Sequence, residues 1–179
     1  MAVAVTLLSR LVNAARLIGR PAHGGRVRAS RRVLRHLRRW GRAAEAGRVF
    51  GYLRAMDPLL FEEVVLSALE HGGRLVLRNT RYSGDGGVDG KVYIGGCGWV
   101  ALQAKRYCRH VDHRDVQALA LLVERGSVAG GLFVHTGRTG AAAYRDLGGT
   151  RVQLLSGERL LDLLLTGELA HGFLIRSKS

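Results

Sequence analysis

Gly84-Asp85-Gly86-Gly87-Val88-Asp89-Gly90 and, thirteen residues further on, Gln103-Ala104-Lys105 decide how this chain folds. Between them run Val88 to Ile94, then Gly95-Gly96-Cys97-Gly98, then Trp99 to Ala104. Two runs of strand-forming residues around a glycine cluster make a hairpin. Gln103 and Lys105 are two apart, so in a strand their side chains share one face. If the hairpin closes in register around its glycines, Asp89 falls near both. A carboxylate and an amide oxygen can hold a hard divalent cation, and a lysine supplies a proton donor or a fixed positive charge. Phosphodiester hydrolysis needs that combination, because negative charge builds on oxygens already carrying it.

Upstream, Asp57-Pro58 sets an N-cap acid before a proline at the first helical position. Phe61, Val64, Val65, Ala68 and Leu69 follow at helical spacing, and Gly72-Gly73 ends the helix. At about 100° per residue, Glu62 sits on the border of that apolar face and Glu63 points away from it, into water. Glu62 can therefore reach a site beside the core. It can equally be an ordinary first-turn acid favoured by the helix dipole. Leu75-Val76-Leu77 is a short strand.

Downstream, Asp112 to Glu124 forms a helix that buries Val116, Leu119, Ala120 and Val123. Gly130 to His135 is a buried strand, Thr139 to Leu147 a helix, and Val152 to Leu155 a strand. Ser156-Gly157-Glu158 opens a last helix, Arg159 to Leu165. The order after the first helix is β-β-β-α-β-α-β-α. The expected fold class is α/β, a mixed central sheet flanked by helices.

Other chemistries find little support. The glycine run lacks the Gly-Lys-Ser/Thr ending of a P-loop and no helix follows it directly. A dinucleotide fingerprint and a Gly-x-Ser-x-Gly elbow are both missing. His110 and His113 could bind a metal from one helix, but no third ligand is evident. Cys97 and Cys108 are too few for a disulfide scaffold and suit reduced thiols in a cytoplasmic protein.

The 179 residues carry a net charge of +14, distributed unevenly. Residues 1–60 hold thirteen arginines against Glu45 and Asp57, a net +11, whereas residues 61–179 carry only +3. A basic chain favours polyanions, either nucleic acid or an acidic membrane face. No apolar run approaches the ~18 to 20 residues that span a bilayer. Met1 to Arg20, apolar and free of acids, suits a targeting segment or, more blandly, part of a basic arm. Gly19-Arg20-Pro21 and His23-Gly24-Gly25 break that arm. Ser30 to Trp40 can form a helix with Val33, Leu34, Leu37 and Trp40 near one face and arginines elsewhere. Such a helix could follow a phosphate backbone or simply pack on the domain.

Phe61-Glu62-Glu63-Val64-Val65, the glycine-rich segment 84–90 and Val100-Ala101-Leu102-Gln103-Ala104-Lys105-Arg106-Tyr107 together resemble the Mrr-like restriction endonuclease catalytic domain, of the PD-(D/E)xK nuclease superfamily. Gly130 to Thr136 and Leu154 to Leu160 are similar to its C-terminal half. The resemblance runs from about residue 58 to 167. It implies a restriction-endonuclease-like fold and metal-dependent hydrolysis of DNA, with Mg²⁺ as the cation. Carried over by position, Asp89 is the metal-binding acid. Gln103 stands where many relatives have Glu or Asp, and Lys105 is the motif lysine. Glu62 is the first-helix acid, so Asp89, Gln103 and Glu62 form the implied metal set. Asp85 is a second acid of the loop or a turn residue bonding its own backbone. The expected division is a basic arm over residues 1–56, the endonuclease domain over 57–168 and a tail over 169–179. Residues 1–56 are short for the winged helix that often precedes such domains and lack its strand pattern. Double-stranded DNA is the expected partner, with a homodimer left open. The competing reading is a catalytically silent nucleic-acid-binding module of the same fold.

Overall fold

The computed structural model describes residue 11 and residues 21–41, 46–79, 87–126 and 128–169. Asp85, residues 1–10 and 12–20, and the tail beyond residue 169 lie outside the described residues. In chain order the elements are α1 (Pro21–Trp40), α2 (Ala46–Ala55), α3 (Pro58–His71), β1 (Val76–Arg78), β2 (Gly90–Ile94), β3 (Gly98–Lys105), α4 (His113–Arg125), β4 (Gly130–His135), α5 (Ala141–Asp146), β5 (Val152–Leu155) and α6 (Gly157–Thr166). The five strands form one sheet in the order β1-β2-β3-β4-β5. β1, β2 and β3 pair antiparallel, and β3, β4 and β5 pair parallel. The mixed sheet follows from the connections. Gly95 to Cys97 turns β2 straight back onto β3, while helices α4 and α5 carry the chain over to the parallel strands.

α3 starts as its sequence dictates. The Asp57 side chain accepts the Leu60 N–H at 3.0 Å, and Pro58 occupies the first turn, where a missing N–H costs nothing. Its far end meets the end of α6 backbone to backbone: a Cβ on Gly72 would lie 1.8 Å from the Gly167 carbonyl oxygen. Only glycine fits there.

Strand alternation divides the core into two layers. On one face Val100, Leu102 and Ala104 of β3 join Phe61, Val65 and Leu69 of α3, with Leu160 and Leu164 of α6. On the other, Ala101 and Phe133 pack with Val116, Leu119 and Val123 of α4. Each large apolar side chain so buried stabilises the fold by roughly 1.5–3 kcal/mol.

The residues ahead of α3 share the first layer. Val33, Leu34 and Leu37 of α1 and Val49 and Leu53 of α2 belong to the same cluster as Phe61. α1 also runs unbroken through His23-Gly24-Gly25, where the sequence suggested an interruption. Each glycine costs about 1 kcal/mol in a helix interior. Burial of His23, Val27 and Ser30 against α3 accompanies the helix through them.

α1 also changes the fate of Glu63. That side chain does lie off the Phe61–Val65 face, yet it is 2% exposed and not in water, because Arg78 of β1 and His23 of α1 both meet it. Glu63, Ser67 and Glu70 form a polar stripe, four and three residues apart. Arg78 fills the gap between them: Nε donates to Glu63 at 2.9 Å, Nη1 to Glu70 at 3.1 Å and Nη2 to Ser67 at 3.0 Å. From α1, His23 meets Glu63 at 2.9 Å, Arg31 meets Glu70 at 3.0 Å, and the Ser30 and Ser67 hydroxyls bond at 2.8 Å. Burial alone would push the Glu70 carboxyl up. The charge and hydrogen bonds of Arg78, with Arg31, bring it below the usual range.

Candidate active site at the hairpin mouth

Asp89 is held from both sides. The Asn79 N–H, just past β1, donates to the Asp89 carbonyl at 3.3 Å, and the Asn79 side chain donates to the Val88 carbonyl. The Asp89 N–H donates to the Leu102 carbonyl at 2.8 Å. Its carboxylate accepts the Ala104 N–H at 2.7 Å. The ladder between β2 and β3 begins at Gly90↔Leu102, so Asp89 lies one residue outside it. Gln103 and Lys105 share a face of β3, and the Asp89 carboxylate, just ahead of β2, sits at the Ala104 N–H between them.

Gln103 is 3% exposed, and its Oε1 has no hydrogen-bond partner among the described residues. Buried acceptors are nearly always satisfied, so this oxygen is suited to a group that the protein itself does not supply. Gly87 roofs the amide. Its φ is +84°, and a Cβ there would sit 2.6 Å from Gln103 Nε2. Glycine at 87 thus lets the loop close down over Gln103.

Glu62 comes from the first turn of α3, at the margin of the opposite layer. It is only partly buried and lies near enough to feel Asp89 and Lys105. Burial pushes its carboxyl up to about 8, reinforced by the negative charges of Asp89 and Glu63 and opposed by Lys105. Burial likewise lifts Asp89 to about 7, against the pull of the Ala104 N–H and Lys105. Two acids held that high are short of positive charge.

Lys105 closes β3, and the chain beyond it is pinned. The Thr136 N–H donates to the Lys105 carbonyl at 3.3 Å, and the Thr136 hydroxyl bonds both the N–H and the carbonyl of Tyr107 at 3.0 and 3.1 Å. Arg54, near the end of α2, grips the Thr136 carbonyl through Nε and Nη2 at 3.1 and 2.6 Å. His135 lies alongside Lys105 in the parallel register, fully buried, with Nε2 3.2 Å from the Thr139 hydroxyl. Burial drops its pKa to about 4, so it stays neutral. Sequence reasoning passed over Asn79, Thr136 and Arg54, whose roles depend on contacts distant in the chain. A short strand flanked by Asn79 was the only local signal.

His110 sits in a bridge with Arg138, ahead of α4, which begins at His113. The two histidines therefore do not project from one helix. Among the described residues, no three His, Cys, Asp or Glu side chains converge on a metal position. Asp89, Glu62 and the free Gln103 oxygen remain, a hard-oxygen set with two carboxylates and one amide. Such a set fits Mg²⁺, which binds few protein oxygens and keeps several waters.

A family model for the catalytic domain of Mrr-type restriction endonucleases matches residues 53–164. The chain belongs to that family. The Mrr-type match begins inside α2 and ends inside α6, so it takes in the whole sheet. Among solved structures, the MspJI restriction endonuclease in complex with a 27-mer oligonucleotide is similar, with a TM-score of 0.44 and 23% identity over 80% of this chain. The chain covers 32% of that one. No curated protein matches. Among the described residues no helix is long and apolar enough to cross a membrane.

Proposed function

We propose that this chain is a Mg²⁺-dependent endonuclease that hydrolyses phosphodiester bonds of double-stranded DNA. The observation that carries the reading is the Asp89 carboxylate held at the Ala104 N–H between Gln103 and Lys105, with Glu62 close by and a Gln103 oxygen without a partner among the described residues. Asp89, Glu62 and Gln103 would hold the cation, which when bound offsets charge at the scissile phosphate. Lys105 directs its ammonium to a phosphate oxygen and holds the charge that develops there. The Ala104 N–H fixes one oxygen of Asp89 and leaves the other for the site. Gln103 adds an oxygen without a charge, so the protein holds Mg²⁺ weakly until DNA brings its own phosphate oxygen. Incubation with supercoiled plasmid in Mg²⁺ or in chelator tests the reading. Nicking or linearisation only with Mg²⁺ supports it. Retention of plasmid without cleavage under both conditions identifies a silent binder instead.

The acids also predict a pH signature of the metal-free protein. Unfolded, Asp89 and Glu62 titrate near ~4. Folded, they hold their protons to about 7 and about 8. The native state thus binds more protons across that window, and these two groups lower stability as pH rises through it. His135 works in the opposite sense below its unfolded value of ~6.5, so wild type must be compared with a variant. Relative to wild type, E62Q/D89N gains stability between roughly pH 5 and pH 8. Saturating Mg²⁺ narrows the difference, most at the upper end. Urea-unfolding midpoints measure both, and parallel pH profiles of the two proteins would refute the assignment.

A further inference from the structure

We infer that the outer face of α1 is a second DNA-contacting surface, a track for phosphates. The inference takes its ligand, duplex DNA, from the reading above. α1 contains no acidic residue. Arg28, Arg32, Arg35 and Arg39 are all exposed and follow one another at spacings of four, three and four, so they form one stripe. Among the described residues, no carboxylate pairs with these four.

The stripe borders two hollows. One, of about 450 Å³, is lined by Arg28, Arg31, Arg32, Arg35 and Arg38 with Glu70 of α3. The other, of about 560 Å³, shares Arg32 and Arg35 and adds Arg39, His36 and Tyr52. Eleven residues of helix span about 16 Å. Duplex DNA carries a charge every ~1.7 Å of its axis, so several phosphates lie within that reach.

The packing of α1 favours DNA over a membrane. His23, near the start of α1, meets Glu63, the neighbour of Glu62. Arg28 lies five residues further, about 7.5 Å along the helix. With Ser30 at Ser67 and Arg31 at Glu70, the stripe runs along the half of α3 that ends at His71, which lines the first hollow. An interfacial helix inserts its apolar face into lipid. Here that face, Val33, Leu34 and Leu37, is already buried in the core.

The test is the salt dependence of full-length protein binding to a short duplex in chelator, between about 50 and 200 mM salt. Wild type is compared with R28A/R32A/R35A/R39A and with R28K/R32K/R35K/R39K. If all four reach phosphates, wild type loses ~100-fold more affinity over that range than the alanine variant, and the lysine variant follows wild type. Equal slopes for wild type and the alanine variant overturn the inference. So does a lysine variant as impaired as the alanine one, or loss confined to anionic phosphatidylserine vesicles. Plasmid cleavage in Mg²⁺ keeps the two readings apart. A protein that shows this slope change but never cuts refutes the nuclease alone; one that cuts with unchanged slopes refutes the track alone.

Discussion

Lys105→Ala lowers the single-turnover rate of Mg²⁺-dependent DNA cleavage by roughly 10²- to 10³-fold, the usual cost of removing one preorganised electrostatic group. The backbone around it should not move. Thr136 holds the Lys105 carbonyl and both backbone polar groups of Tyr107, and none of these bonds involves the lysine side chain. DNA binding in chelator then falls only by what one phosphate contact contributes, a change of about one in the salt slope. Lys105→Arg restores little, because a planar guanidinium does not replace a compact ammonium. Full cleavage by Lys105→Ala at saturating Mg²⁺ would remove Lys105 from the chemistry. Equal losses in cleavage and in chelator binding would make it a docking residue.

The largest effect on stability belongs to Arg78→Met. Arg78 is 2% exposed and lies among Glu63, Ser67 and Glu70. Breaking a buried pair from one side costs about 3–5 kcal/mol, because the abandoned charge stays buried. A domain has only about 5–15 kcal/mol in total. His23 and Arg31 still neutralise part of the acid charge from α1, so a weakened fold is expected, not a lost one. The penalty shrinks as pH falls, since protonating the stranded carboxylates removes the uncompensated charge. Adding Glu63→Leu and Glu70→Leu to Arg78→Met recovers most of the loss, as apolar replacements of whole buried ion clusters generally do. Denaturant unfolding at two pH values checks both statements. An Arg78→Met protein within about 1 kcal/mol of wild type would show that the cluster adds nothing to stability.

The sheet is legible because its signals are local. Gly95 to Gly98 sets the hairpin, and counting back from that turn sets Gly90 against Leu102, with Asp89 one residue beyond. Gly130 to His135 and Val152 to Leu155 are short apolar runs bounded by turn residues, and both are strands at those limits. Helix ends were less secure: Thr139 to Leu147 contracts to Ala141–Asp146. What the sequence concealed was the layer beyond α3. Helical geometry gives the direction of Glu63 correctly but not what lies in that direction. The clue was the stripe Glu63-Ser67-Glu70, polar and evenly spaced, answered by a lone arginine ending an apolar strand. α2 stayed hidden because Arg48, Gly51 and Arg54 dilute its apolar periodicity, although Val49 and Leu53 stand one turn apart and both are buried. At the site, the residue types and the shared face of Gln103 and Lys105 were visible. The clamp on Asp89 was not, since Asn79 acts across a strand pairing.

The joining of α1 and α2 to the core has a consequence for how such a domain can be inherited. A stretch beginning at Asp57 contains every proposed reacting group, yet it would expose the back of α3 and strip Glu63 and Glu70 of their partners from α1. Recombination that joined a foreign segment directly to residue 57 would thus be counter-selected through misfolding, before catalysis was ever tested. The unit that can travel between genes intact starts upstream of His23, with the leading helices inside it.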